Sequence, residues 1–184
     1  NENSIGDAGA AALGEALRIN TVLTTVSLGG NVIGDKGAAA IAEALKTNTV
    51  LKELVIGSSI GAAGASALSE ALKVNKALKE LSLTGSVGDA GAIALAGALR
   101  VNVALTALDV RHNSIGTEGG KAIAEALEFN GGAVRVLELT LMGNSIGDAG
   151  IAAIGKVLRP NAITAPHLRA QAGKSSARVA AAWI

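Results

Sequence analysis

The chain has 184 residues, 49% of them hydrophobic, with 16 Lys plus Arg against 15 Asp plus Glu, 24 glycines and no cysteine. That length suits one or two domains; the hydrophobic share excludes a disordered chain, and glycines without an every-third-residue rule exclude collagen. Zero cysteines exclude a disulfide framework, a thiolate metal site and a cysteine nucleophile, and they fit a reducing compartment, so the expected location is intracellular, in the cytoplasm.

With one Phe, one Trp and no Tyr, the core must be built from Leu, Ile, Val and much Ala. No uninterrupted run of apolar residues is long enough for a transmembrane helix, and no signal peptide is evident. The charges are unevenly spread. Up to Asp148 there are 11 basic and 15 acidic side chains, and beyond it only basic ones: Lys156, Arg159, Arg169, Lys174 and Arg178.

The elements, in chain order, follow from a repeat. Asn3 to Asn20 reads NSIGDAGAAALGEALRIN, and the pattern returns at Asn31 to Asn48, Ser58 to Asn75, Gly85 to Asn102, Asn113 to Asn130 and Asn144 to Asn161. The closing asparagines are spaced 28, 27, 27, 28 and 31 residues, a solenoid period. Between the copies lie LTTVSL (Leu23 to Leu28), LKELVI (Leu51 to Ile56), LKELSL (Leu78 to Leu83), LTALDV (Leu105 to Val110) and VLELTL (Val136 to Leu141), whose alternation predicts short strands. After each Ile-Gly or Val-Gly the apolar residues fall at helical spacing, as at Ile41, Ala42 and Leu45, which predicts helices of about three turns. Asp7, Asp35, Asp89 and Asp148, with Thr117 in the fifth copy, stand where helix N-caps are expected. The closing asparagines are expected in the left-handed C-cap conformation. Phe129 aligns with Ile19, Thr47, Val74 and Val101, so it is expected in the core. The chain starts at Asn1 mid-repeat, as a piece of something longer does, and its first copy has no strand before it.

The residues LxxLxLxxN, complete at Leu23 to Asn31 and Leu105 to Asn113 with Val at Val26 and Val110, followed by IGDxGAxxIAEALxxN, resemble the leucine-rich repeat of the long ribonuclease-inhibitor type. They are especially similar to the repeats of NOD-like receptors. The resemblance spans Asn3 to Asn161 and implies an α/β leucine-rich-repeat solenoid, a horseshoe arc with a parallel concave sheet and outer helices. It fits a domain over residues 1–161, about six repeats of 27–31 residues, with 162–184 as a basic non-repeat tail. Two departures stand out. The second and third strands are followed by one residue fewer, so the family asparagine is missing from the SSIG and GSVG turns. Three extra residues, including Gly131 and Gly132, lie before Val136.

Candidate chemistry is sparse. The IGDxG segments resemble phosphate-binding loops at helix N-termini, but six copies read better as tight turns, with the second glycine of each allowing helices to approach. Gly173-Lys174-Ser175 lacks the required glycine, since position 168 is Leu. Asp109, His112 and Ser114 fall on a strand and the turn beyond it and make no hydrolase trio. Only His112 and His167 exist, without metal-ligand spacing, so no cofactor and no metal is expected. Glu15, Glu43, Glu70 and Glu125 recur at one helix position, a solvated outer face. The basic tail lacks interleaved aromatic residues, so neither nucleic acid nor a membrane is an expected partner.

The concave sheet remains. With Val26 and Leu28 turned inward, period-two alternation turns Thr25, Ser27 and Gly29 outward. The same register exposes Glu53, Val55 and Gly57; Glu80, Ser82 and Thr84; Ala107, Asp109 and Arg111; and Glu138, Thr140 and Met142. The expected function is a non-enzymatic protein-binding module, part of a larger protein or assembly. Its concave face, carrying Thr25, Ser27, Glu53, Val55, Glu80, Ser82, Thr84, Asp109, Arg111, Glu138, Thr140 and Met142, is expected to take a basic segment of a protein partner. Self-association through the uncapped N-terminal face is a further expectation. The alternatives are a GTPase-activating regulator of a small GTPase, which the resemblance implies, and a fixed structural subunit of a large complex.

Overall fold

The structure is a computed structural model and describes residues 3–129 and 138–158. Eleven elements alternate along the described residues: α1 (Asp7–Ile19), β1 (Thr25–Leu28), α2 (Asp35–Leu45), β2 (Glu53–Ile60), α3 (Ala62–Val74), β3 (Glu80–Gly85), α4 (Gly88–Leu99), β4 (Ala107–Asp109), α5 (Thr117–Phe129), β5 (Glu138–Thr140) and α6 (Gly147–Leu158). The strands form one parallel sheet in the order β1-β2-β3-β4-β5, and each helix packs on the next. Parallel strands sit ~4.8 Å apart whereas packed helices need ~8–10 Å. The stack therefore bends toward its sheet, which is the expected leucine-rich-repeat solenoid.

The core lies between the two layers. Leu51, Leu54, Ile56, Leu78, Leu81 and Leu83 from the strand side meet Ile41, Leu45, Leu68, Leu72, Leu95 and Leu99 from the helices, all at most 3% exposed. Leu51, Leu78 and Leu105 open the apolar segments but precede their strands. They anchor the corner rather than the ladder.

Asp7, Asp35 and Asp89 do something other than cap their own helices. Gly6, Gly34 and Gly61 occupy the N-cap positions of α1, α2 and α3, and no side-chain cap bond is made there. Instead Asp7 Oδ1 accepts from the N–H groups of Gly34 (2.8 Å) and Gly37 (2.9 Å), Asp35 Oδ1 from Gly61 (2.7 Å) and Gly64 (2.8 Å), and Asp89 Oδ1 from Gly116 (2.7 Å) and Gly119 (2.9 Å). Each carboxylate caps the helix of the following repeat and so couples neighbours. Where the preceding repeat has Ala62 or Thr117 instead, the next turn glycine adopts a left-handed φ: Gly88 at +59° and Gly147 at +68°. Bonds from N–H to a charged acceptor are worth ~1.5–3 kcal/mol each, less where water can substitute. Asp35→Ala should therefore lower stability by about 2 kcal/mol and Asp35→Asn, which keeps the acceptor, by clearly less. Urea unfolding checks this, and equal losses for both would refute the capping role.

Among the described closing asparagines, Asn20, Asn48, Asn75 and Asn102, none is a left-handed cap either, while Asn130 and Asn161 lie outside the described residues. Asn20 and Asn75 are extended, with φ/ψ of −75/125° and −68/130°, and Asn48, Asn75 and Asn102 are buried. Their amides stack as a ladder at the helix-to-strand corner. Asn75 Nδ2 donates to the carbonyls of Leu45 (2.7 Å) and Asn48 (3.0 Å), while its Oδ1 accepts from Ala77 (2.9 Å) and Leu78 (2.8 Å). Asn48 and Asn102 repeat the pattern. On the opposite rim, Asn31 and Asn144 fill the family position, each joining its own repeat to the one before. Where that residue is missing, the backbone closes the gap by lengthening the sheet: β2 runs to Ile60, and Ser86 N–H bonds to the Ile60 carbonyl (2.8 Å). Asn113, which follows the gap, keeps a buried Oδ1 with no partner.

The expectation for Phe129 is overturned. Phe129 is 68% exposed, and its aligned neighbours Ile19 (83%), Val74 (56%) and Val101 (51%) are exposed too. The core-facing residue of each last turn is the leucine two positions earlier, and two residues turn a helix by about 200°. The Arg100 guanidinium lies 5.3 Å from the Phe129 ring centre. The insertion around Gly131, the tail 162–184 and Trp183 lie outside the described residues.

On the outer helix face Glu15, Glu43 and Glu70 pair with Arg18, Lys46 and Lys73 three residues on. In α4 that glutamate position is Gly97, and Arg100 reaches across to Glu125 (3.3 Å). A Cβ at Gly97 meets nothing within 4 Å. Gly97→Glu should stabilise by about 1 kcal/mol, from helix propensity plus a few tenths for a pair with Arg100. A loss in the urea midpoint would mean that this face is not free.

Candidate functional site

The strand register sets the concave face. Thr25, Glu53, Glu80, Ala107 and Glu138 align across all five strands, as do Ser27, Val55, Ser82, Asp109 and Thr140. A third row begins with Gly57 opposite Thr84. Arg111 and Met142 lie just beyond β4 and β5. The alternation in β1 is strict, with Thr25 and Ser27 exposed and Val26 and Leu28 buried. A Cβ at Gly57 would collide with the Thr84 hydroxyl and lie 2.7 Å from its carbonyl oxygen, so only glycine fits there.

Between the rows lies a shallow depression of about 230 Å³, lined by the outward residues Glu53, Val55, Glu80, Ser82, Asp109 and Glu138 among others. Thr140 departs from expectation: it lines the depression yet is only 4% exposed, so it is floor rather than contact surface. The four carboxylates differ in their partners. Asp109 is engaged by Arg111, whose Nε donates at 2.7 Å, whose second nitrogen makes an ion pair, and whose backbone N–H bonds to Oδ1 (3.1 Å). That hydrogen bond, with the charges of Asp109 and Glu138, holds the Arg111 pKa above its ordinary value against the opposing effect of burial. Glu53 accepts only a long bond from Thr25 Oγ1 (3.4 Å), and Glu80 has no partner among the described residues. In-register neighbours ~4.8 Å apart, two carboxylates repel by about 1 kcal/mol even in water.

No catalytic arrangement emerges among the described residues. Asp109 is committed to Arg111, and His112 and Ser114 sit in left-handed turn positions at φ 53° and 55°. Among the described residues no group of three or more His, Asp or Glu could hold a metal, and no helix is long and apolar enough to cross a membrane. What sequence reasoning missed is the rim where helices end and strands begin. Seven basic and no acidic side chains lie in residues 18–24, 46–52, 73–79 and 100–106, and grouping charges by repeat position rather than along the chain finds them.

A family described as "Leucine Rich repeat" matches residues 20–42, 101–124 and 136–155. A search of the curated proteins gives no match. Among solved structures, one titled "Leiomodin-1 Actin-Binding Site 2 (ABS2)" superposes with a TM-score of 0.68 at 25% identity, covering 80% of this chain and 86% of that one. The C-terminal domain of tropomodulin from Caenorhabditis elegans superposes with a TM-score of 0.65 at 14% identity, covering 83% and 92%, a likeness of fold alone. Repeat period, sheet order and these likenesses converge on one statement: the chain folds as a leucine-rich-repeat solenoid, and three of its segments match the leucine-rich-repeat family.

Proposed function

We propose that the chain is a non-enzymatic protein-binding module whose concave sheet takes a basic segment of its partner. The observation that carries this is the in-register pair Glu53 and Glu80, which faces the depression without cationic partners while Asp109 is already neutralised. A Lys or Arg side chain seated there relieves the repulsion and gains two charge-assisted bonds. The surface lacks aromatic anchors, so affinity is modest. Glu53→Gln with Glu80→Gln should weaken binding of an arginine-containing peptide by about tenfold and flatten its salt dependence. Unchanged affinity in a titration would move the site elsewhere.

The likeness to the leiomodin-1 fragment, named for an actin-binding site, favours a second test: co-sedimentation with actin filaments, with and without the two Gln substitutions. The likeness to NOD-like receptor repeats rests on the IGDxGAxxIAEALxxN motif alone. For the GTPase-regulator alternative, no stimulation of GTP hydrolysis is expected.

The N-terminal face supports self-association. Leu23 is 42% exposed where its equivalent Leu51 is fully buried, and β1 is a sheet edge. Light scattering should show concentration-dependent association. A stable monomer with slowly exchanging amides in Ala10 to Leu17 would contradict it.

A further inference from the structure

We infer that the rim joining helix ends to strand starts is a second binding surface, for an acidic polypeptide segment with interspersed apolar side chains. Four consecutive corners, residues 18–24, 46–52, 73–79 and 100–106, carry seven Lys or Arg and no Asp or Glu, although the chain up to Asp148 is net acidic. Part of this charge has a local explanation. Arg18, Lys46, Lys73 and Arg100 answer the helix C-terminal dipoles and pair with glutamates. Lys52, Lys76 and Lys79 have no such role. They stand in the corners, are exposed, and make no ion pair among the described residues. Lys52 and Lys79 occupy the same repeat position, immediately before β2 and β3, and Lys79 N–H bonds to the Lys52 carbonyl (2.8 Å). Two like charges are thus held side by side at the entrance to the sheet.

Independently of charge, the same rim exposes Val74 (56%), Val101 (51%) and Val103 (50%). Leu72 and Leu99, two residues before the first two of these, already fill the core. The exposed valines thus leave about half of their surface in water beyond what the core uses.

The flanks decide the shape of the occupant. On the concave side the lysines are followed at once by Glu53 and Glu80, and on the helix side lie Glu43 and Glu70. The cationic strip is narrow, bordered by carboxylates on both sides. A bilayer or a duplex laid across it would meet those acids, whereas a single polypeptide strand running along it meets basic, apolar and threonine side chains and no carboxylate. Packed helices are ~8–10 Å apart and an extended chain advances ~3.3 Å per residue. The fitting segment therefore places an apolar side chain at about every third position with Asp or Glu between.

This surface is separate from the concave face, so the two can fail separately. The 184-residue chain is panned against a displayed library of random peptides about a dozen residues long, a length that spans the four corners. Enriched peptides are then titrated against wild type, Lys52→Glu/Lys76→Glu/Lys79→Glu, Val74→Ser/Val101→Ser, and Glu53→Gln/Glu80→Gln. Expected are acidic peptides with apolar residues at the predicted spacing. Their affinity should fall at least about tenfold in the lysine variant, fall less in the valine variant, and hold in the glutamine variant. Circular dichroism checks that every variant is folded; if the triple reversal is not, Lys76→Glu alone, which lies farther from its strand than Lys52 or Lys79, replaces it. Enrichment of basic peptides only, lost with the glutamine variant, would overturn the rim site and leave the concave reading standing. No enrichment, or acidic peptides indifferent to the lysines, also overturns it. So does lysine-dependent binding of phosphatidylserine vesicles or an oligonucleotide in the absence of peptide binding.

Discussion

Asn75→Ala should cost about 3–5 kcal/mol, far more than an average substitution. The side chain is 3% exposed and makes four hydrogen bonds, two donated to the carbonyls of Leu45 and Asn48 and two accepted from Ala77 and Leu78. Truncation orphans four backbone groups at once, in a corner sealed by the buried residues Leu51 and Leu78. A buried group without a partner costs ~1–3 kcal/mol, and partial entry of water keeps the sum below the maximum. Asn75→Asp should be at least as damaging, because its carboxylate faces the two carbonyl oxygens that the amide had served. Asn20→Ala supplies the control. Asn20 accepts the same local bonds, from Val22 and Leu23, but lies exposed at the open end of the stack. Its loss should cost about 1 kcal/mol. Urea unfolding of the two variants separates the cases, and equal losses would mean that the ladder does not couple repeats.

The contrast shows what the sequence could and could not reveal. The solenoid was legible because a 27–28-residue period repeats the same apolar positions, and the concave rows were legible because a pleat of period two leaves no choice once Val26 and Leu28 are inward. Partners one repeat away were not. Local rules assign a turn Asp to its own helix, but Asp35 sits one residue inside the helix and bonds Gly61 and Gly64, 26 and 29 residues on. Likewise Asn75 joins Leu45 and Asn48, 30 and 27 residues back. Phe129 was misplaced for another reason: aligning it with other apolar residues established equivalence, and only the angle from Leu127 says that the shared position faces water. The lysine rim escaped notice because charge was summed along the chain, whereas the fold sorts it by position within the repeat.

Gly64→Val should be among the most disruptive glycine replacements in the helices, with a loss above about 3 kcal/mol. Gly64 lies in the first turn of α3 against α2. A Cβ there would stand 2.7 Å from Asp35 Oδ1, 2.9 Å from Ile60 Cγ2 and 3.0 Å from Ala38 Cβ. The same three neighbours recur at Gly37, as Asp7, Ile33 and Ala10, and at Gly119, as Asp89, Ile115 and Ala92. The closeness is therefore a property of the repeat. Two effects oppose each other on substitution. Helix propensity alone favours replacing Gly with Ala by ~1 kcal/mol, and Gly97, with open space around it, should show that gain. At Gly64 the new carbon displaces the carboxylate that receives its own N–H, so the inter-repeat cap is lost along with the packing. Overpacking costs ~1–3 kcal/mol and the cap about 2 kcal/mol, which together exceed the propensity gain. Gly64→Ala should thus destabilise by about 2 kcal/mol, and the branched valine by more, with faster amide exchange on both sides of the α2–α3 contact because each repeat is held only by its neighbours. Parallel urea series for alanine at positions 64 and 97 decide the matter: opposite signs are expected, and a stabilised Gly64→Ala would show that the close approach is slack that the helices can give up.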